Sequence, residues 1–211
     1  GRPLVLEPWI QDGAAAILWA WQPGTLGGSA LADVLTGRRE AYGRLPMTFP
    51  RSEGQIPLSY DGYATGRPGP KPEVFWSHYT DEPNEPAFPF GFGLSYTSFA
   101  YRDLEVTPSP EGWSATVTVR NTGNRAGSDV VQLYVGRQGN GQLYPTKSLK
   151  GFKRVTLEPG SEARVRLELP REALTQRDGQ GRTVAFTRGT LTITVGPNSR
   201  EGLTWSTTLS P

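Results

Sequence analysis

From residue 100 onward, apolar and polar side chains alternate with a period of two. Trp113, Ala115, Val117 and Val119 alternate with Ser114, Thr116, Thr118 and Arg120. Ala163, Val165, Leu167 and Leu169 are flanked by Glu162, Arg164, Arg166 and Glu168, and Leu191, Ile193 and Val195 by Thr190, Thr192 and Thr194. Val131, Leu133 and Val135 repeat the pattern. Successive side chains on a strand point to opposite faces, so this alternation predicts strands with one buried face. Asn121-Thr122-Gly123-Asn124, Pro159-Gly160, Asp178-Gly179 and Arg188-Gly189 supply the turns between them.

Roughly seven such strands over about 110 residues fit an immunoglobulin-like or fibronectin type III-like sandwich. No cysteine is present to bridge its sheets. Trp113, Phe152 and Trp205 are therefore its candidate large core residues.

The first ninety residues follow a different pattern. Leu4–Leu6 is a short apolar run between Pro3 and Pro8 and reads as a strand. Ala14–Ala20 is continuously apolar, as a strand buried on both faces is. Trp21-Gln22-Pro23-Gly24 forms a turn, and Gly27–Leu35 reads as a helix. Ser29 is its expected N-cap, Leu31, Val34 and Leu35 its apolar face, and Gly37 its C′ residue. Arg44–Pro50 reads as a further strand placed near a sheet edge by Pro46 and Pro50. One strand–helix–strand unit cannot cover both faces of its own sheet, so this part is expected to be the tail of a larger α/β domain whose other strands precede residue 1.

Residues 51–87 are rich in proline and in scattered aromatics, and read as an ordered strap across the α/β body. Phe88–Tyr96, FPFGFGLSY, sets large rings on a backbone loosened by Gly91 and Gly93 and deprived of a donor at Pro89. It reads as a wedge between two bodies, with Phe88, Phe90, Phe92 and Tyr96 as interdomain residues. The fold class is thus mainly β with a partial α/β domain. Residues 1–60 form the C-terminal portion of an α/β sandwich, 61–97 a strap and junction, and 98–211 the fibronectin type III-like sandwich.

Composition removes several kinds of chemistry. Without cysteine there is no thiol nucleophile or thiolate metal site, and the single histidine, His78, rules out a histidine metal cluster. No metal or cofactor is expected. The formal net charge is only +2 and basic residues are interleaved with acids, which disfavours a nucleic-acid partner. No apolar run reaches the ~18 residues that span a bilayer, so no membrane partner is expected. Gly1-Arg2-Pro3 shows no leader, as expected of a processed or truncated product.

Taken together, the segments resemble the C-terminal third of glycoside hydrolase family 3 enzymes, the β-glucosidase and β-xylosidase group. The matching stretches are Gly1–Leu6, Trp21–Gly24, Gly27–Leu35, Gly43–Pro50 and Phe88–Tyr96, followed in the sandwich by Val119–Gly123, Asp129–Val135 and Leu149–Phe152. Gln55-Ile56-Pro57, Thr65-Gly66-Arg67-Pro68 and Tyr79–Glu82 look most like the bacterial periplasmic β-glucosidase branch. The resemblance implies retaining hydrolysis of terminal β-D-glucosyl residues, in a periplasmic or extracellular setting. An Asp nucleophile and a Glu acid/base would lie about 5–5.5 Å apart.

Both acids are implied to lie in N-terminal segments, so no catalytic residue is assigned here and the chain alone is expected to be inactive. Its partner is then the (β/α)8 barrel portion of the same enzyme, covalent or as a second chain, with a homodimer also open. Glu40, Asp61, Asp81, Glu82 and Glu85 lie in loops and read as surface carboxylates. Arg2 is expected to pair with an acid of the larger domain. Trp21, Tyr79 and Asp81 are the candidates for proximity to substrate, because aromatic faces and carboxylates recognise sugars. For Trp21, packing between domains is the preferred reading, and for the strap a purely structural role. The alternative function is a non-catalytic carbohydrate-binding or interaction module.

Overall fold

A computed structural model describes residues 5–6, 8–67, 69, 75–139 and 141–210. Two short helices come first, α1 (Pro8–Gly13) and α2 (Gly27–Leu35). Among the described residues nine strands follow: β1 (Phe99–Ser109), β2 (Gly112–Asn121), β3 (Gly127–Gln138), β4 (Ser148–Leu157), β5 (Glu162–Pro170), β6 (Thr175–Arg177), β7 (Thr183–Ala185), β8 (Gly189–Gly196) and β9 (Leu203–Leu209). No helix among the described residues is long and apolar enough to cross a membrane.

The strands form a three-stranded sheet, β1-β2-β5, facing a four-stranded sheet, β4-β3-β8-β9; β6 and β7 make a separate hairpin. All the pairings are antiparallel. The period-two pattern sets the register. Ala115 lies opposite Leu167 and Val117 opposite Val165 in one sheet, while Leu133 lies opposite Val195 and Val135 opposite Ile193 in the other. These inward side chains are buried and form one core, which Trp113 and Trp205 flank with ring centroids 5.2 Å apart. Phe152 departs from expectation and is 69% exposed. It pairs with Gln132, which shares the outward parity of β3, and it lies on an edge strand.

Strand β3 is buried on both faces over most of its length. Val131, Leu133 and Val135 point inward, whereas Gln132 and Tyr134 point outward and are still 3% and 1% exposed. Something outside the sandwich covers them, and that is the wedge.

Among the described residues before Phe99, none belongs to an extended ladder. Among the described residues Ala14–Ala20 has no strand partner, and Ile17 and Leu18 are 42% and 43% exposed. A lone extended segment is not a sheet, however apolar. Arg44–Pro50 contributes a single bridge, Phe49 to Phe88, because Pro46 and Pro50 lack the donors a longer ladder needs. Pro8 opens α1 instead of closing a strand, a position where its missing N–H costs nothing. The strand expected over Leu4–Leu6 and the expected partner of Arg2 fall largely or wholly outside the described residues.

Helix α2 lies where expected, with Gly37 at φ +70 just past its C-cap Thr36. Leu26 precedes its first residue with no side-chain cap, so Ser29 is inside the helix and not its N-cap. Leu35 is exposed, leaving Leu31 and Val34 as the half-buried face. The strap also differs from expectation: its first part docks on the sandwich. Tyr63 bridges to Pro145, Thr146 N–H donates to Gly62 O at 2.9 Å, and Leu149 N–H donates to the Tyr60 hydroxyl at 3.3 Å. Buried Gln55 holds the strap's two ends together, accepting from Arg51 N–H and donating to Pro83 O at 2.8 Å.

Candidate functional site at the domain junction

The wedge is built by pairing with the stretch that precedes the strap. Leu45 N–H donates to Phe92 O and Gly91 N–H to Leu45 O, both at 2.8 Å, and Phe49 and Phe88 exchange bonds at 2.9 and 3.3 Å. Its carbonyls then face the sandwich. Ser199 N–H donates to Phe90 O at 2.9 Å, and Gln132 Nε2 donates to Gly91 O at 3.0 Å and to Pro197 O at 2.6 Å. The Tyr134 hydroxyl donates to Gln132 Oε1 at 2.5 Å. Phe90 stacks on Tyr60 with centroids 4.1 Å apart, and Tyr60 meets Tyr134 edge-on at 5.8 Å. Gly91, at φ +79, has no room for a side chain: a Cβ would collide with the Gln132 amide and lie 2.9 Å from the Tyr134 hydroxyl.

A buried ion pair joins the same two parts. Arg44 Nη2 donates to Asp129 Oδ1 at 2.5 Å, with the two side chains 10% and 4% exposed. Asp129 also accepts from the Tyr101 hydroxyl at 2.8 Å and from Val130 N–H at 2.7 Å. Glu40 corrects another expectation. It is not a surface carboxylate, since its Oε2 accepts from Ser128 N–H at 2.6 Å and its Oε1 is buried. Tyr96 donates to Val34 O at 2.5 Å and lies under the Arg125 guanidinium, 5.3 Å from ring centroid to Cζ. Arg125 itself donates to Gly37 O at 3.1 Å. Three sandwich-side residues, Arg125, Ser128 and Asp129, thus reach the N-terminal segment with directed polar contacts.

Two tyrosines at this junction hold their protons more tightly than usual. Burial, then the adjacent Asp129 charge, pushes Tyr101 up, with Arg44 opposing; burial and then Tyr60 push Tyr134 up. A group raised in the folded state contributes stability that is complete below its unfolded pKa, about 10 for tyrosine, and lost above it. Urea stability is therefore expected to hold to about pH 10 and fall beyond it. In Tyr101→Phe that alkaline decline should be shallower, and an unchanged slope would count against Tyr101 as its source.

Beside the wedge lies an open, mainly apolar cavity of about 840 Å³. Trp19, Trp21, Phe49, Phe88 and Phe92 wall one side of it, and Ile17, Leu18 and Val34 add aliphatic surface. Trp21 meets Trp19 and Phe49 edge-on at 5.6 and 6.4 Å, is 37% exposed, and sits at φ 51, a conformation non-glycine residues rarely adopt. Tyr79 and Asp81 are not on this wall. Tyr79 is held by its backbone N–H on Asn84 at 3.2 Å, its ring partly exposed, and Asp81 faces solvent. The structure does not gather Trp21, Tyr79 and Asp81 into one site. His78 Nδ1 lies 2.7 Å from Trp76 O, and among the described residues no ion pair joins it to Asp81 or Glu82.

Asp129 and Gln132 were not singled out from the sequence, although polar residues inside an apolar strand were an available signal. Arg44 and Glu40, in loops, gave none.

Comparison with known proteins places this geometry in a lineage. Residues 1–96 match the glycosyl hydrolase family 3 C-terminal domain, and residues 129–199 the fibronectin type III-like domain. A periplasmic beta-glucosidase of Salmonella typhimurium is 46% identical over 82% of this chain and 23% of its own length. A beta-xylosidase of Formosa agariphila is 36% identical over 95% of this chain and 27% of its own. Among solved structures, a beta-glucosidase from Listeria innocua in complex with glucose superposes with a TM-score of 0.91, at 34% identity, over all of this chain and 30% of that one. The chain spans about a quarter of the length of these curated relatives.

Proposed function

The chain belongs to the C-terminal region of glycoside hydrolase family 3, and we propose that it serves a retaining β-glucosidase that removes terminal non-reducing β-D-glucosyl residues. The observation that carries this reading is the double match in chain order, a family 3 C-terminal domain and then a fibronectin type III-like domain, joined by the buried Arg44–Asp129 junction. The nucleophilic Asp and acid/base Glu belong to a barrel-bearing portion outside these 211 residues. In support, Glu40 and Asp129 are both committed to structural bonds at the junction. The work of this chain is to hold the α/β segment rigidly against the sandwich, since misplacement of a positioning element by about 1 Å can cost a hundredfold in rate.

We place Trp21 at the border of the sugar site. Its half-exposed ring and left-handed backbone, held by Trp19 and Phe49, fit a residue positioned for stacking. Tyr79 and Asp81, on the strap, are placed at an outer subsite. A periplasmic or extracellular setting is favoured by the Salmonella relative's name.

The test is a fusion. Residues 1–211 replace the matching segment of the Listeria innocua β-glucosidase, and hydrolysis of an aryl β-glucoside is followed. The fusion is expected to turn over with retention of configuration, whereas pure 1–211 gives none. Turnover by pure 1–211, or a folded but inactive fusion, would overturn the assignment.

A further inference from the structure

A second cavity, of about 490 Å³, opens between the strap, the wedge and the sandwich. Its walls are tied to one another within the chain. Thr146 donates to Gly62 O from both its N–H and its hydroxyl, and Ser199 N–H donates to Phe90 O. Lys147 is part of the lining. Its Nζ donates to Ser199 O at 2.6 Å, which occupies one of its three donors. Among the described residues it joins no ion pair. Burial pushes its ammonium below the ordinary lysine range, and a close carboxylate would push the other way.

The chain around Lys147 carries charge of one sign. From Val130 to Leu157 it holds Arg137, Lys147, Lys150, Lys153 and Arg154 and no acid. The other sheet matches its arginines instead: Arg102 with Glu162, Arg164 with Glu105 and Arg166 with Glu168. Arg200 adds a second cation to the cavity, with Glu201 at 3.6 Å, beyond hydrogen-bond reach. A partly buried cation is costly until something negative approaches it, so the cavity is charged to receive an anion.

The remaining lining is suited to hydroxyl groups. Ser59, Tyr60 and Thr146 each make one hydroxyl bond inside the chain and can make another. The Asn84 amide and the exposed Glu85 complete it. A carboxylate on the rim repels a bare multivalent anion but accepts from a neutral hydroxyl. The fitting ligand therefore has one negative end and several hydroxyls.

We propose that this cavity binds an acidic sugar of the hexuronic type, its carboxylate on Lys147 and Arg200 and its ring hydroxyls on Tyr60, Asn84 and Glu85. Its volume falls within the ~300–1,000 Å³ usual for small-ligand sites. The site does not depend on the β-glucosidase reading, because all of its lining residues belong to this chain.

Titration of sodium D-glucuronate, D-glucose and inorganic phosphate into 1–211, followed at the amides of Lys147 and Ser199, tests it. Glucuronate is expected to saturate both amides and to bind at least about tenfold more tightly than glucose, the worth of one charge-assisted hydrogen bond. Phosphate should bind more weakly than glucuronate. Lys147→Gln should weaken glucuronate at least about tenfold, for the same reason. Arg200→Gln changes an exposed side chain and should weaken it about threefold. It carries the test if Lys147→Gln, which also loses the bond to Ser199 O, does not fold. Absent saturation by glucuronate, equal affinity for glucose, or Arg200→Gln and folded Lys147→Gln both neutral overturns the site. Phosphate bound as tightly as glucuronate overturns it too, since a mere patch of positive charge would do the same.

Discussion

Asp129→Ala is expected to lower the unfolding free energy by about 3–5 kcal/mol, the usual cost of removing one partner from a buried ion pair. The loss is not only that of the 2.5 Å contact with Arg44. The substitution leaves a guanidinium that is nine-tenths buried, a Tyr101 hydroxyl and the Val130 N–H without their acceptor. Arg44→Met should cost less, because Asp129 keeps Tyr101 and Val130 as donors. The double variant should cost less than the sum of the two singles, since contacting charges couple. Urea denaturation of the four proteins gives the cycle directly. A loss below about 1 kcal/mol for Asp129→Ala, the size of an exposed pair, would show that water already screens this site.

Most of the sandwich was legible because period two is a local signal, and β2, β3, β5 and β8 carry it plainly in Ala115, Leu133, Leu167 and Ile193. Phe152 was misread because hydrophobicity alone does not give parity; its register opposite Gln132 turns it outward. The N-terminal segment was less legible for a different reason. A strand is defined by its neighbour, so among the described residues Ala14–Ala20 has strand composition without strand pairing, and Arg44–Pro50 pairs only briefly, with the wedge. The junction polar residues were hidden for a third. Arg44 and Asp129 are 85 positions apart, and no local pattern announces a pair made only by tertiary packing. Glu40 on Ser128 N–H is the same case. The wedge was the exception, because a glycine set among large rings reports a close backbone approach wherever its partner lies.

That partner makes Gly91→Ala the second large expectation, a loss of about 2–5 kcal/mol. About 1–2 kcal/mol comes from placing a side chain at φ +79. A further ~1–3 kcal/mol comes from forcing a methyl group into a filled space, here the one held by the Gln132 amide and the Tyr134 hydroxyl. Gly160 separates the two contributions. It has φ +73 in the β4–β5 turn but open space where its Cβ would stand, so Gly160→Ala should show only the conformational cost. The excess at Gly91 measures the steric one. Because Gln132 also ties Gly91 O to Pro197 O, pushing it aside should release the wedge from β3 and, with it, the Tyr60–Phe90 stack. Limited proteolysis should then cut the strap, residues 51–87, in Gly91→Ala faster than in Gly160→Ala at equal global stability. Equal losses and equal cleavage in the two variants would mean that the wedge is not locked to the sandwich through Gly91, and its rigidity would have to come from the other junction contacts, the Arg44–Asp129 pair and Ser199 N–H on Phe90 O among them.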